Sequence, residues 1–419
     1  MSEEKVTVTL PAHVFPMVHR FSLESLTFWF WSVAAAKPFL GYLFFQGQAV
    51  LGTVAGGGLS LFFLLLVVPH VLTHGLSRTA FVWPAATKWL MAYVFWVVCT
   101  LIWTHAESLP VAIAYTGVLV SDVILIGLLM RLENPSKVAM AAMRGLVMGT
   151  ATLAVVTLGF GGTTVDSRLG HAEFLHPNVI GKQMAIASLC AIWLFLRARG
   201  RIFSHLFWAG CCALLMVTLL FSLSKTAIVA FAVGFFFLVF ASGTGWREKF
   251  FVVALFLMTI LLAIDRVTDY LEEYLYVTQG GHALLSVSGR GLIWEQTWEM
   301  ICANPQLGYG IMAFRDVGPQ ISSERLVTAH NEWLHQWFSY GLVGLLLCAL
   351  IYVSFLWLLL RTRQDQTAGF ERSLGFGLLA FSLIRGLFEA EMTGLIFPLP
   401  LFLLITLWLA NLNLSGRTA

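Results

Sequence analysis

The chain has 419 residues, of which 58% are hydrophobic and only 11% charged, with a formal net charge of +3 and a mean hydropathy of +0.82. A soluble domain carries about a quarter charged residues, so a soluble fold is excluded and an all-α integral membrane protein is expected. The apolar runs do not alternate with polar residues over about 10 positions, which excludes a β-barrel.

The first residues, MSEEKVTVTLPAHVFPMVHRFSLES, contain no short apolar core with a cleavage site, and read as a retained cytoplasmic tail. Twelve apolar spans follow, at 25–45, 48–70, 87–104, 109–131, 137–159, 178–197, 203–221, 223–242, 248–265, 332–360, 370–387 and 393–413. Each suits a membrane helix of about 20 residues. Arg78 and Lys88, Arg131 and Lys137, then Arg197, Arg199 and Arg201 fall in alternate loops, and Arg247, Lys249, Arg361, Arg363 and Arg372 continue the series. Basic loops face the cytoplasm, which puts both termini inside. The expected organisation is a tail over 1–24, nine spans over 25–265, an extracytoplasmic segment over 266–331, three spans over 332–413 and a tail over 414–419.

The extracytoplasmic side then holds a loop at about 160–177, the long 266–331 segment, and a corner with Arg385, Glu389 and Glu391. In the long segment, LIWEQTWEMICA puts Ile293, Trp294, Trp298 and Ile301 near one helical face and Glu295 and Glu299 on another. DRVTDYLEEYLYV is a second amphipathic piece, with Tyr270, Leu271, Tyr274 and Leu275 in a stripe. Such helices suit a membrane interface, or a small cap packed on itself. Asn304, Pro305, Gly308 and Gly310 break the first helix. Five cysteines lie in apolar runs and only Cys302 in the long polar segment, so no disulfide framework or cysteine metal site is expected.

Basic residues on the outer side are the informative ones, and Arg168, Lys225, Arg266, Arg290, Arg315, Arg325 and Arg385 all fall there. Lys225, in FSLSKTAIVAFAVG, either snorkels to the headgroups or faces a watery cavity, since charge inside a membrane is costly and usually functional. Arg290 lies between glycines in SVSGRG, which let the backbone approach a ligand, and its planar fork suits phosphate. His330 and Asn331 stand at the mouth of the tenth span. A histidine there either caps the helix or serves as a general base, its unperturbed pKa being near neutrality. Glu389 and Glu391 compete for the base role. HNEWLH lacks a glutamate directly after the first histidine and has no evident third ligand, so no metal site is expected. The His176–Asn178 triplet reads as a helix start signal.

These motifs resemble the O-antigen ligase/polymerase superfamily. The resemblance rests on Ser-x-Ser-Lys at 222–225, Ser-Gly-Arg-x3-Trp at 288–294 and Asn-Pro-x2-Gly-x-Gly at 304–310. His330-Asn331 leading into Gly-Leu-x-Gly at 341–344 completes the ordered set. It implies a glycosyltransferase of the membrane-embedded C type with a long periplasmic loop between the ninth and tenth helices, in a bacterial inner membrane. The donor would be O-antigen on undecaprenyl diphosphate and the acceptor lipid A-core, with membrane lipids around the chain and no nucleic acid. By the same resemblance Lys225 and Arg290, aided by Arg168 and Arg266, would bind the donor diphosphate, and His330 would be catalytic. Asn331, Gly308, Gly310 and Glu389 would support them. The family often has arginine where this chain has Lys225, which keeps the charge and loses the fork.

Within the superfamily the ligase is favoured over an O-antigen polymerase, which more often carries two arginine-rich outer loops, and over a longer protein O-oligosaccharyltransferase. The resemblance implies inversion at the anomeric carbon without cofactor or metal. A lipid-linked glycan transporter also has many spans and outer cations, but no internal repeat is apparent here, and the polar residues cluster at one face.

Overall fold

The computed structural model describes the chain except residues 1–21, 46–48, 75–80, 161, 163–167, 171–175, 199–201, 263–267, 269–289, 322–323, 326, 363–365, 393–397 and 416–419. Long apolar runs punctuated by proline and polar caps become helices. They are α1 (Leu23–Ala34), α2 (Leu40–Phe45), α3 (Ala49–His74), α4 (Ala85–Cys99), α5 (Leu109–Leu132) and α6 (Pro135–Phe160). α7 (Pro177–Arg197), α8 (Ile202–Phe221), α9 (Lys225–Ala241) and α10 (Trp246–Leu262) follow, then α11 (Arg290–Ala303) and the short α12 (Phe314–Val317). The last three are α13 (Glu332–Arg361), α14 (Gln366–Gly386) and α15 (Leu399–Ser415). A minimal antiparallel pair, β1 (Gln320–Ile321) and β2 (Glu324–Arg325), sets Gln320 opposite Arg325. Helix occurs in all twelve predicted intervals, and seven of the described helices are long and apolar enough to cross a membrane.

The helices pack pairwise, α1 on α6, α3 on α5, α4 on α13, α7 on α8 and α9 on α14, with α7 the most enclosed of the seven. Between apolar helices in lipid, close backbone approach replaces the hydrophobic drive. Gly145 and Gly149 provide it, for a Cβ at either would come within 2.2 Å of a carbonyl of α1, that of Phe28 or Ser32. The first predicted span is interrupted by a 3₁₀ turn at Lys37–Phe39. There Lys37 Nζ donates to both oxygens of Asp122 on α5 (2.8 and 2.6 Å) and to Ser60 Oγ on α3 (2.7 Å), all three residues being buried. This ion pair was not foreseen from the apolar pattern.

The Asn-Pro-x2-Gly-x-Gly turn locks into a break in α13. Gly341 has φ 65° and ψ −170°, so the helix bends there. In a straight helix the carbonyls of Phe338, Ser339 and Tyr340 accept from residues 342 to 344. Here Tyr309 N–H donates to Phe338 O (2.8 Å), Gly310 N–H to Ser339 O (2.8 Å) and Trp96 Nε1 to Tyr340 O (2.8 Å), while Leu342 N–H turns to Pro305 O (2.9 Å). Gly308, at φ +66°, has no room for a side chain, since a Cβ would lie 2.5 Å from Phe338 O. Gly310 is likewise pressed on Thr104.

The predicted amphipathic helix at 292–303 is α11, but its buried line is Ile293, Thr297 and Ile301. Trp298, expected on that face, is 48% exposed and sits edge-on against Trp337 at 5.4 Å. The residues at i, i+4 and i+8 stay on one line, whereas Trp298 falls one step round the helix. Nearly all of the second predicted piece, DRVTDYLEEYLYV, lies outside the described residues.

Candidate functional site

One end of the bundle gathers the N-termini of α7, α9, α11 and α13 and the C-terminus of α14. Proline at the first position and His176 as cap start α7, the His176 ring accepting from Asn178 N–H at 3.2 Å. Asn178 is thereby fixed at the rim, where its side chain becomes a junction. Its Oδ1 accepts from Arg168 Nη2 (2.8 Å) and Ser224 Oγ (3.1 Å), and its Nδ2 donates to Glu389 Oε1 (2.9 Å). Arg168 Nε also donates to Ser222 O (3.2 Å), tying its loop to the α8–α9 turn.

Arg290 opens α11 and does not stay in the expected loop. Its Nη1 donates to Phe388 O (2.5 Å) and its Nη2 to Glu389 Oε1 (3.0 Å). Two of its five N–H groups suffice for these bonds. Across the same carboxylate, His330 Nδ1 lies 2.9 Å from Glu389 Oε2. An ionised carboxylate only accepts, so Nδ1 donates to Glu389, and Nε2 is the ring nitrogen that accepts a proton when the ring is neutral. The His330 side chain is 27% exposed. Its backbone has φ +49°, a conformation that costs a non-glycine residue roughly 1–3 kcal/mol and concentrates at functional sites. Leu223, in the turn before α9, is held similarly at φ +48°.

Burial by itself raises the Glu389 pKa. The hydrogen bond from His330 and the charges of Arg385, His330 and Arg290 outweigh it and hold the carboxyl at about 2. A carboxylate held ionised in this way is suited to orienting the ring that donates to it.

A second layer holds the turn that carries Glu389. Arg385 Nε donates to Glu391 Oε1 (2.5 Å), and its two Nη atoms reach Thr226 Oγ1 (3.2 Å) and Asn178 O (3.0 Å). Lys182 Nζ lies 2.7 Å from Glu391 Oε2. Asn331 caps α13 by accepting from Leu334 N–H (3.1 Å), and its Nδ2 donates to Leu387 O (3.1 Å).

Of the residues expected at the site, Arg168, Arg290, His330 and Glu389 meet through Glu389 and Asn178. Asn331 braces the same turn, and Gly308 and Gly310 act at the α13 bend. Lys225 is exposed at the first position of α9, between Ser224 and Thr226, which both bond into the network. Arg266 lies outside the described residues. His335 is one turn into α13 with its ring against Phe314 at 5.4 Å. Sequence reading passed over Asn178 as part of a start signal, and it overlooked Lys182 and Glu332. An ionisable residue inside or at the rim of an apolar span is the signal that marks the last two.

No curated protein matches the chain. The family model described as O-Antigen ligase matches residues 210–349, a stretch that contains Lys225, Arg290 and His330 together with the bent first half of α13. The match supports the resemblance to the O-antigen ligase superfamily over those residues, and seven of the described helices are long and apolar enough to cross a membrane.

Proposed function

We propose that the protein is an O-antigen ligase that transfers polymerised O-antigen from undecaprenyl diphosphate to lipid A-core on the periplasmic side of the inner membrane. It would have twelve spans, both termini in the cytoplasm and a glycosyltransferase C type of fold. The observation that carries this reading is the Arg290–Glu389–His330 constellation, in which one buried carboxylate orients a histidine on one side and an arginine on the other.

The acceptor hydroxyl attacks the anomeric carbon while His330 Nε2 takes its proton. The bond from that carbon to the diphosphate oxygen breaks, and the polyprenyl diphosphate leaves from the opposite face, which inverts the centre. Negative charge grows on the leaving group, so cations fixed around it stabilise the transition state more than the ground state. Arg290 keeps N–H groups to spare for a phosphate, Arg168 and Lys225 add charge at the same rim, and the helix N-termini point their partial positive charge there. His330 is preferred to the carboxylate as base because both Glu389 oxygens are already engaged, Oε1 by Arg290 and Asn178 and Oε2 by His330. This chemistry is assigned to side chains of the protein alone, with no cofactor or metal.

The test is transfer by purified protein in nanodiscs, with undecaprenyl-diphosphate-linked O-antigen and lipid A-core. His330→Ala is expected to lose at least about 10²-fold in rate, the low end of the contribution of a positioned base, while donor binding persists. Equal transfer by wild type and variant removes the assignment. A wild-type protein that extends the lipid-linked chain and leaves lipid A-core bare is a polymerase instead.

A further inference from the structure

Glu332 has no part in the reaction as described, yet it is fully buried at the first position of α13, two residues after His330. A carboxylate in that setting is expensive unless every lone pair is used. Its Oε2 accepts from the backbone N–H groups of Glu391 (2.5 Å) and Met392 (3.0 Å), and its Oε1 accepts from Gln336 Nε2 (2.7 Å). Gln336 is oriented in turn, its Oε1 accepting from the Tyr93 hydroxyl on α4 (2.7 Å).

These bonds join two pieces of chain at the rim. One piece is 330–332, which carries His330; the other is the turn 387–392, which carries Glu389. Asn331 Nδ2 on Leu387 O (3.1 Å) holds one end of the turn and Glu332 holds the other, with the His330–Glu389 bond between them. The Glu332 contacts go to main-chain N–H groups, so they fix the path of the turn and not merely one rotamer.

We propose that Glu332 is a positioning residue that sets the His330–Glu389 separation by anchoring the 387–392 turn to the start of α13. Resting on the ligase reading, this assigns Glu332 no contact with substrate. It acts through Glu389, and an error of about 1 Å in such a pair costs on the order of 10²-fold in rate.

The experiment compares Glu332→Met, which keeps the volume and removes both acceptors, with Glu332→Gln, which keeps a neutral acceptor. Two readouts are taken on full-length protein in nanodiscs: kcat and donor KM for transfer, and hydrogen–deuterium exchange of the peptide over 387–392. Glu332→Met is expected to lower kcat by about 10²-fold with donor KM within about 2-fold, and to speed exchange at 391 and 392. Glu332→Gln should recover part of both, because its amide oxygen can still accept the backbone N–H groups of the turn. Wild-type kcat in Glu332→Met overturns the proposal, and so does a loss of kcat with unchanged exchange. If Glu332→Met does not fold, Glu332→Asp is measured instead; it keeps the charge but not the reach, and full kcat with it is equally fatal. A wild-type protein that transfers no glycan defeats the ligase reading alone, since exchange still reports whether Glu332 holds the turn.

Discussion

His330 Nδ1 and Glu389 Oε2 stand 2.9 Å apart although α13 and α14 separate them in the chain. The pair closes because Asn331 and Glu332, at the start of α13, bond the turn that follows α14. A histidine so held donates from Nδ1 to the carboxylate, which fixes the orientation of its ring.

Glu389→Gln replaces an anion with a neutral amide that can turn its NH2 toward His330, spoiling the tautomer. A fall in kcat of about 10²-fold or more is expected with little change in donor KM, measured in the nanodisc transfer assay. The pH dependence of stability gives an independent check. Glu389 has a folded pKa of about 2 against an ordinary value of 4.5. Its contribution is therefore complete above about pH 4.5 and is lost as pH falls toward 2. Thermal unfolding of wild type and Glu389→Gln should differ most above pH 4.5 and converge as the acid range is entered; curves that stay parallel contradict the ion-pair account.

Arg290→Ala removes a guanidinium from the proposed diphosphate position and frees one edge of Glu389. Transition-state stabilisation lost with one such group is on the order of 10²–10³ in rate. Arg290→Lys should restore part of it, because a point charge replaces a planar fork. Steady-state kinetics over a range of donor concentrations decides. An alanine variant with unchanged dependence on donor removes Arg290 from that role.

Gly308→Ala forces a Cβ to within 2.5 Å of Phe338 O at a backbone φ of +66°. The left-handed conformation costs an L residue roughly 1–2 kcal/mol before the clash is counted, so a clear drop in melting temperature in detergent is expected. The turn also caps carbonyls at the α13 bend, so lost transfer activity should accompany the lost stability. An unchanged melting curve contradicts the close packing described.

Lys37→Met leaves the Asp122 carboxylate buried without its cation, and Asp122→Leu leaves the ammonium. Breaking a buried pair from one side typically costs about 3–5 kcal/mol, whereas replacing both members with apolar groups is often neutral. The single variants should lose folded yield and thermal stability, and the Lys37→Met/Asp122→Leu double variant should regain most of it. A double variant as poor as either single one shows that the pair does more than neutralise itself.

Much of this was legible in the residues. Apolar runs of membrane length determine helices wherever they occur, because in lipid only a helix satisfies its own backbone polar groups without partners. Proline and histidine at 176–177 started α7, and Asn304 to Gly310 stopped α11. The candidate side chains were also visible, Arg290 between glycines in the long polar segment and His330 and Glu389 at the outer ends of apolar spans. What only the tertiary structure decided is who meets whom. Periodicity orders residues along one helix and is silent on which helix ends share a rim, so Asn178, Lys182 and Glu332 gained their meaning from contacts with residues 389 to 392. The Lys37–Asp122 pair follows the same rule. Each charge lies inside an apolar span, and only packing brings the two together to stabilise each other.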